Sequence, residues 1–218
     1  MGHRLFLLKI KLLDITPEIY RKFAVPASIT LDRLHDVIQI VMGWKDLHMH
    51  GFNIAMQSYT ENPQTTDDGS HEGLFRLIDL IEEPEKTFEY LYDFEYCWQH
   101  EITLLDNRYS NSNLQVPLHC MEGAQACPPE NVGGVPGYYE FCQVLKNQDH
   151  EKHSYYKNWY AGLTWYDGTF DGDTYPIKKV NAELLRYLRW SRERLEPWFR
   201  RHDKKSAESN KIFSVEAL

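Results

Sequence analysis

His48 and His50 stand two residues apart in the run His48-Met49-His50-Gly51-Phe52. On an extended strand, positions two apart project to the same side, so both imidazoles reach one space. Two neutral imidazoles facing one point are half of a zinc-type coordination sphere, which takes nitrogen, sulfur and carboxylate donors. The other donors must come from elsewhere in the chain: His100 and Asp93, with Cys97 or Glu130 as further candidates. The implied cofactor is a divalent metal such as zinc. The competing expectation is ordinary packing, with both rings enclosed by aromatics and hydrogen-bonded to backbone.

Cys120 and Cys127 form the second constellation, with His119 and Glu130 close by. Their spacing is not that of a Cys-x-x-Cys knuckle, so a zinc here would be structural, stabilising a loop. Two thiols pinning a loop by packing is the plainer expectation. Cys127 as a nucleophile lacks a local signature, because a thiol ahead of Pro128-Pro129 is not at a helix N-terminus. The run Gly133-Gly134-Val135-Pro136-Gly137 lacks the Lys-Ser or Lys-Thr of a phosphate cradle.

Charge sets a third candidate. The chain carries 24 Lys and Arg against 32 Asp and Glu, a net charge of -8, which opposes a surface built around nucleic acid. The distribution is uneven: residues 183–211 hold nine basic against five acidic residues, leaving 15 against 27 in the rest. An acidic body thus carries a basic end. Arg186, Arg189, Arg192, Arg200 and Arg201 are the residues a nucleic acid would meet, although a solvated helix face is favoured over that contact. A protein partner of unspecified identity is the alternative.

These residues must be positioned by a real core, and 42% hydrophobic residues with 14% aromatics supply one. No apolar stretch approaches a membrane span. Four cysteines and no export-type segment at the start lead to an expectation of reduced thiols in the cytoplasm. Strands are expected at 5–13 and 19–25, then a helix from Leu31 to Met42 with Thr30 as cap and Gly43 past its end. A strand at His50 to Met56 and an exposed loop from Gln57 to Glu72 follow, then a short helical piece at 76–82. From Phe88 to Leu104 the alternation is strict, with Phe88, Tyr90, Tyr92, Phe94, Tyr96, Trp98, His100 and Ile102 on one parity. A hairpin with its tip at 95–97 would set Phe94 opposite Trp98 and Tyr92 opposite His100, with Asp93 and His100 on opposite faces. Its aromatic row suits core packing better than base stacking. Residues 116–137 are expected to be irregular. Helices are expected at about 138–147 and 179–196, the second capped by Asn181 and stopped by Pro197. The fold class is α+β: a mixed β-sheet with a helix packed across one face, a β-grasp-like start, and C-terminal helices. Residues 1–200 are expected to form one domain and 201–218 a basic tail.

Several segments, taken in order, resemble the plasmid pRiA4b ORF-three-like family. They are Ile19-Tyr20-Arg21-Lys22 with Val25-Pro26, Leu34-His35-Asp36-Val37-Ile38-Gln39 with Met42-Gly43-Trp44, and His48-Met49-His50-Gly51-Phe52. Tyr92-Asp93-Phe94 with Trp98-Gln99-His100 and the stretch Cys120 to Glu130, with Gly133-Gly134 and Gly137-Tyr138, complete the match. The resemblance implies an association with mobile elements and supplies no activity. The function it implies is that of an accessory or interaction protein of plasmid or transposon origin. The alternatives are a metal-dependent enzyme, of hydrolase type, built on a His/Asp cluster, and a nucleic-acid-binding protein using the basic C-terminal helix.

Overall fold

The computed structural model describes residues 4–65, 68–110, 116–163, 166 and 168–190. The expected C-terminal tail, Arg192, Arg200, Arg201 and the Pro197 stop lie outside these residues.

Strands β1 (Leu5–Leu12) and β2 (Tyr20–Pro26) form a hairpin. Phe6, Leu8, Ile10 and Leu12 alternate inward on β1, as a half-buried strand requires. Helix α1 (Leu31–Met42) buries Leu31, Leu34, Val37, Ile38, Val41 and Met42 on one stripe, each aliphatic contributing about 1.5–3 kcal/mol of transfer free energy. Gly43 ends it in the left-handed conformation (φ 99°), its N–H bonded to Gln39 O. Thr30 makes no side-chain cap. The helix start is tied instead to the segment ahead of α2 (Leu77–Leu80), with Leu31 N on Phe75 O and Leu77 N on Ile29 O.

The remaining strands are β3 (His50–Ile54), β4 (Gln57–Thr60), β5 (Ser70–His71), β6 (Thr87–Tyr92), β7 (Trp98–Tyr109) and β8 (His119–Ala124). They complete an eight-stranded sheet in the order β5-β4-β3-β6-β7-β1-β2-β8, antiparallel throughout except for the β4–β5 pair. The chain is therefore an α+β protein with a mixed sheet, and α1 lies on one face of it. Helices α3 (Gly134–Lys146), α4 (His153–Gly162) and α5 (Ile177–Trp190) follow.

Several local expectations change. The β6–β7 tip spans residues 93–97, so Tyr92 pairs with Trp98 and Tyr90 with His100. The shift is by two residues, which keeps every side chain on its face. Asp93 and Cys97 adopt positive φ (61° and 53°), and Asp93 Oδ1 accepts from Glu95 N and Tyr96 N. A side-chain-braced turn thus does what a glycine would otherwise do. The polar stretch 57–72 is not wholly an exposed loop: it holds β4 and β5, and Glu72 is buried. Within 116–137, β8 adds to the sheet edge beside β2. Asn181 sits inside α5 rather than capping it. Its Oδ1 accepts from Cys120 N and its Nδ2 donates to Cys120 O, both at 2.8 Å, which docks α5 on β8.

Candidate functional site

The loop between α1 and β3 is held at nearly every residue. Trp44 Nε1 donates to Pro128 O, Lys45 N to Glu130 Oε1, Asp46 N to Gln39 Oε1 and Leu47 N to Tyr92 Oη. His48 follows, ahead of the strand rather than on it. Its Nε2 is buried without a hydrogen-bond partner. It lies 3.7 Å from Asp93 Oδ2 and 3.7 Å from Glu130 Oε2, too far for a hydrogen bond to either.

Both carboxylates are buried, at 2% exposure, and each is anchored through its other oxygen. Asp93 uses Oδ1 on the hairpin-tip amides. Glu130 uses Oε1, which accepts from Lys45 N at 2.8 Å and from the Tyr92 hydroxyl at 2.9 Å. Burial raises the Glu130 pKa, opposed by the Lys45 amide, Tyr92 and His48. Burial and the neighbouring Glu130 charge push the Tyr92 hydroxyl well up, so it stays a donor. Two fixed oxygens therefore face one unpartnered imidazole nitrogen, and His48 itself is 23% exposed and opens the group to solvent.

The other expected donors go elsewhere. His50 is buried on β3 and its Nε2 lies 3.0 Å from both Glu72 oxygens. Its ring stacks on His35 at 3.4 Å and 8°. His35 Nε2 meets Asp46 Oδ1 at 2.9 Å and its Nδ1 meets Tyr90 Oη at 2.8 Å. Because the Asp46 carboxylate can only accept, His35 Nε2 donates to it, and in the neutral ring the bare Nδ1 accepts from the Tyr90 hydroxyl. His35, Asp46 and His50 place donor atoms within 4.8 Å of one another. An imidazole, however, binds a metal in its own ring plane, and two parallel planes 3.4 Å apart share no such point. This group is a hydrogen-bonded stack.

His100 is fully buried beneath Trp44, Nδ1 donating to Tyr90 O at 3.2 Å and Nε2 unpartnered. Desolvation pushes its pKa down to about 3. It shares no partner with His48. The sequence thus offers His48 and Asp93, which come together, and His50 and His100, which do not join them. Glu130 arrives from the loop ahead of α3, and Glu72 was concealed by the polar composition around it.

A profile of plasmid pRiA4b ORF-3-like proteins matches residues 4–176, which spans every element that builds this site. The chain belongs to that family. An uncharacterised Sinorhizobium fredii protein, y4hQ, is 31% identical over 191 residues, covering 86% of this chain and 96% of the relative. The crystal structure of a protein of unknown function from Methanosarcina mazei Go1 superposes with a TM-score of 0.70 at 29% identity, over 82% of this chain and 98% of that one. The Methanosarcina protein thus shares the fold, and the names of these relatives carry no catalytic role.

In this pRiA4b ORF-3-like chain, Cys97, Cys120, Cys127 and Cys142 are all free thiols. Cys120 is fully enclosed on β8, 3.1 Å from the Tyr175 hydroxyl, and burial raises the pKa of both Cys120 and Cys127. Thiols held protonated by burial are poor nucleophiles. Arg186 and Arg189 are exposed on α5. Among the described residues, no helix is long and apolar enough to cross a membrane.

Proposed function

We propose that the protein is a divalent-metal-dependent enzyme of hydrolytic type, with His48, Asp93 and Glu130 as its ligands. One observation carries this reading: a buried, unpartnered imidazole nitrogen equidistant from two anchored, buried carboxylates. Each 3.7 Å separation is less than twice a metal–ligand bond of roughly 2.1 Å, so one ion can touch His48 Nε2 and either carboxylate, and a side-chain adjustment of Asp93 or Glu130 would bring the third ligand onto it. A neutral imidazole and two carboxylates carry two negative charges, which a dication neutralises. Three protein ligands leave coordination positions for water, and the partial exposure of His48 gives water a route in. A divalent ion held by these residues would supply Lewis acidity to a water bound beside it. Tyr92 and the Lys45 amide hold Glu130 and act as positioning groups. A cytosolic location accompanies this reading, supported by four free thiols.

The experiment is a calorimetric titration of metal-stripped protein with zinc and manganese, followed by an ester and phosphoester hydrolysis screen. Stoichiometric binding that falls at least a hundredfold in Asp93→Asn and Glu130→Gln, with activity lost in parallel, is the expected result. Full binding in both variants would remove the proposal.

One observation favours a second reading, the accessory protein of mobile-element origin that acts through a protein partner. Met49, Phe94 and Leu47 are exposed at 65%, 45% and 47%, and Met49 and Phe94 line a groove of about 570 Å³ on the sheet. A partner captured by wild type and lost on Met49→Asp with Phe94→Asp, in a protein that binds no metal, would favour it instead. Nucleic-acid binding through Arg186, Arg189 and the residues beyond them has no supporting contact in the described fold.

A further inference from the structure

Arg21 is a cation with no exposed surface. Its Nε donates to Val41 O at 3.0 Å, Nη1 to Tyr20 O at 2.7 Å and Ala124 O at 2.6 Å, and Nη2 to Gln125 O at 2.8 Å. The Tyr175 ring stacks on the guanidinium at 3.8 Å. Four of five N–H groups are thus spent on neutral carbonyls, and the guanidinium cannot shed its proton. Among the described residues no ion pair joins it to a carboxylate, and the groups that act on it most are Cys127, Tyr175, Cys120 and Tyr138. One N–H and a whole charge stand without a counterpart among the described residues.

Arg21 forms part of the wall of a cavity of about 370 Å³, a size suited to a small ligand. Tyr160, Tyr166, Phe170 and Tyr175 also line it, with Tyr160 and Tyr166 stacked at 5.3 Å and 12°. Its ionic residues are Arg21, Lys45 and Lys179 against Asp171 and Glu183, one net positive charge in a chain of net -8. The room is shaped by Gly123, where a Cβ would lie 2.5 Å from the Tyr175 ring and 2.8 Å from Arg21 Cδ. Only glycine lets the ring and the guanidinium stack against β8.

We propose that this cavity binds a small planar oxyanion, an aromatic carboxylate or aryl phosphate, with its charge toward Arg21 and Lys45 and its ring among the tyrosines. The exposed Lys45 ammonium supplies the contact to the oxyanion, and the buried, uncompensated charge of Arg21 behind the wall adds to the attraction. The aromatic walls supply stacking for a flat ring. The cavity adjoins the proposed metal ligands, since Lys45 N donates to Glu130 Oε1 and Glu130 N to Tyr166 Oη, but the proposal does not need a bound metal.

The test titrates the full-chain protein with benzoate, phenyl phosphate, inorganic phosphate and benzamidine, the last being a cation of benzoate's shape. One saturable site for benzoate or phenyl phosphate and none for benzamidine is expected. Arg21 holds four backbone carbonyls, so its loss confounds folding with binding. Lys45→Glu is used instead, which leaves those bonds intact, with Ile40→Trp to fill the cavity. Lys45→Glu should weaken the anion at least tenfold and Ile40→Trp should abolish binding, with both variants melting cooperatively. His48→Ala should bind the anion as wild type does. No saturable anion binding, equal binding of benzamidine, or unchanged affinity in both cavity variants would overturn the proposal. Inorganic phosphate binding as tightly as phenyl phosphate would overturn its aromatic part.

Discussion

His100 gives the sharpest stability prediction, because nothing compensates a charge at its position. The side chain is fully buried, the backbone of Tyr90 and Trp98 only partly offsets that burial, and Nε2 has no hydrogen-bond partner. Protonation would place an imidazolium among Trp44, Tyr90 and the sheet, so the folded pKa falls to about 3 while the unfolded value stays near 6.5. The sign follows from linkage. Between those values the unfolded chain binds a proton that the folded chain refuses, so stability is full above about pH 6.5 and is lost as pH falls toward 3. At about 1.4 kcal/mol per pH unit, the drop from pH 7 to pH 4.5 costs about 3 kcal/mol. His100→Leu removes the titration. Its own cost at pH 7 is separate, so the readout is the change between the two pH values. Urea unfolding at pH 7 and 4.5 should show wild type losing about 2–3 kcal/mol more than His100→Leu. Equal losses in both proteins would refute the reasoning, because every other titrating group is common to them.

Tyr92→Phe removes the hydroxyl that joins Leu47 N to Glu130 Oε1, which should cost about 1–3 kcal/mol in thermal unfolding. The same change should weaken metal binding about tenfold or more, measured by competition with a chelator dye. Gly123→Ala drives a methyl into the Tyr175 ring and Arg21 Cδ and should destabilise by about 1–3 kcal/mol in chemical denaturation. Asn181→Ala strands both Cys120 backbone groups, costing about 2 kcal/mol. Limited proteolysis should then cut α5 faster while the sheet survives.

Much of the scaffold was legible because its signals are local. The α1 stripe, the Gly43 stop and the alternation of β6 and β7 are periodic features that a single stretch of chain reveals. The β6–β7 tip was misplaced because its turn depends on Asp93 accepting from its own downstream amides, and no glycine advertises it. The strands β4, β5 and β8 were hidden because short strands, two of them at the sheet edges, take their stability from a neighbour. The residues of the candidate site were partly legible by type. His48 and Asp93 stand out as donors, but the strand assumption tied His48 to His50, and the pinned loop 44–48 breaks that link. Glu130 joins through Tyr92 and Lys45, contacts 38 and 85 residues apart in sequence, which no spacing rule reports.

Elemental analysis of untagged, purified protein decides whether a divalent ion is held by His48, Asp93 and Glu130. One equivalent of zinc, manganese, iron or nickel is expected, retained through gel filtration and lost in Asp93→Asn and in Glu130→Gln while both variants stay folded. Wild-type protein that holds no metal after reconstitution with each of these ions, or metal retained in full by both variants, would contradict the proposed ligand set.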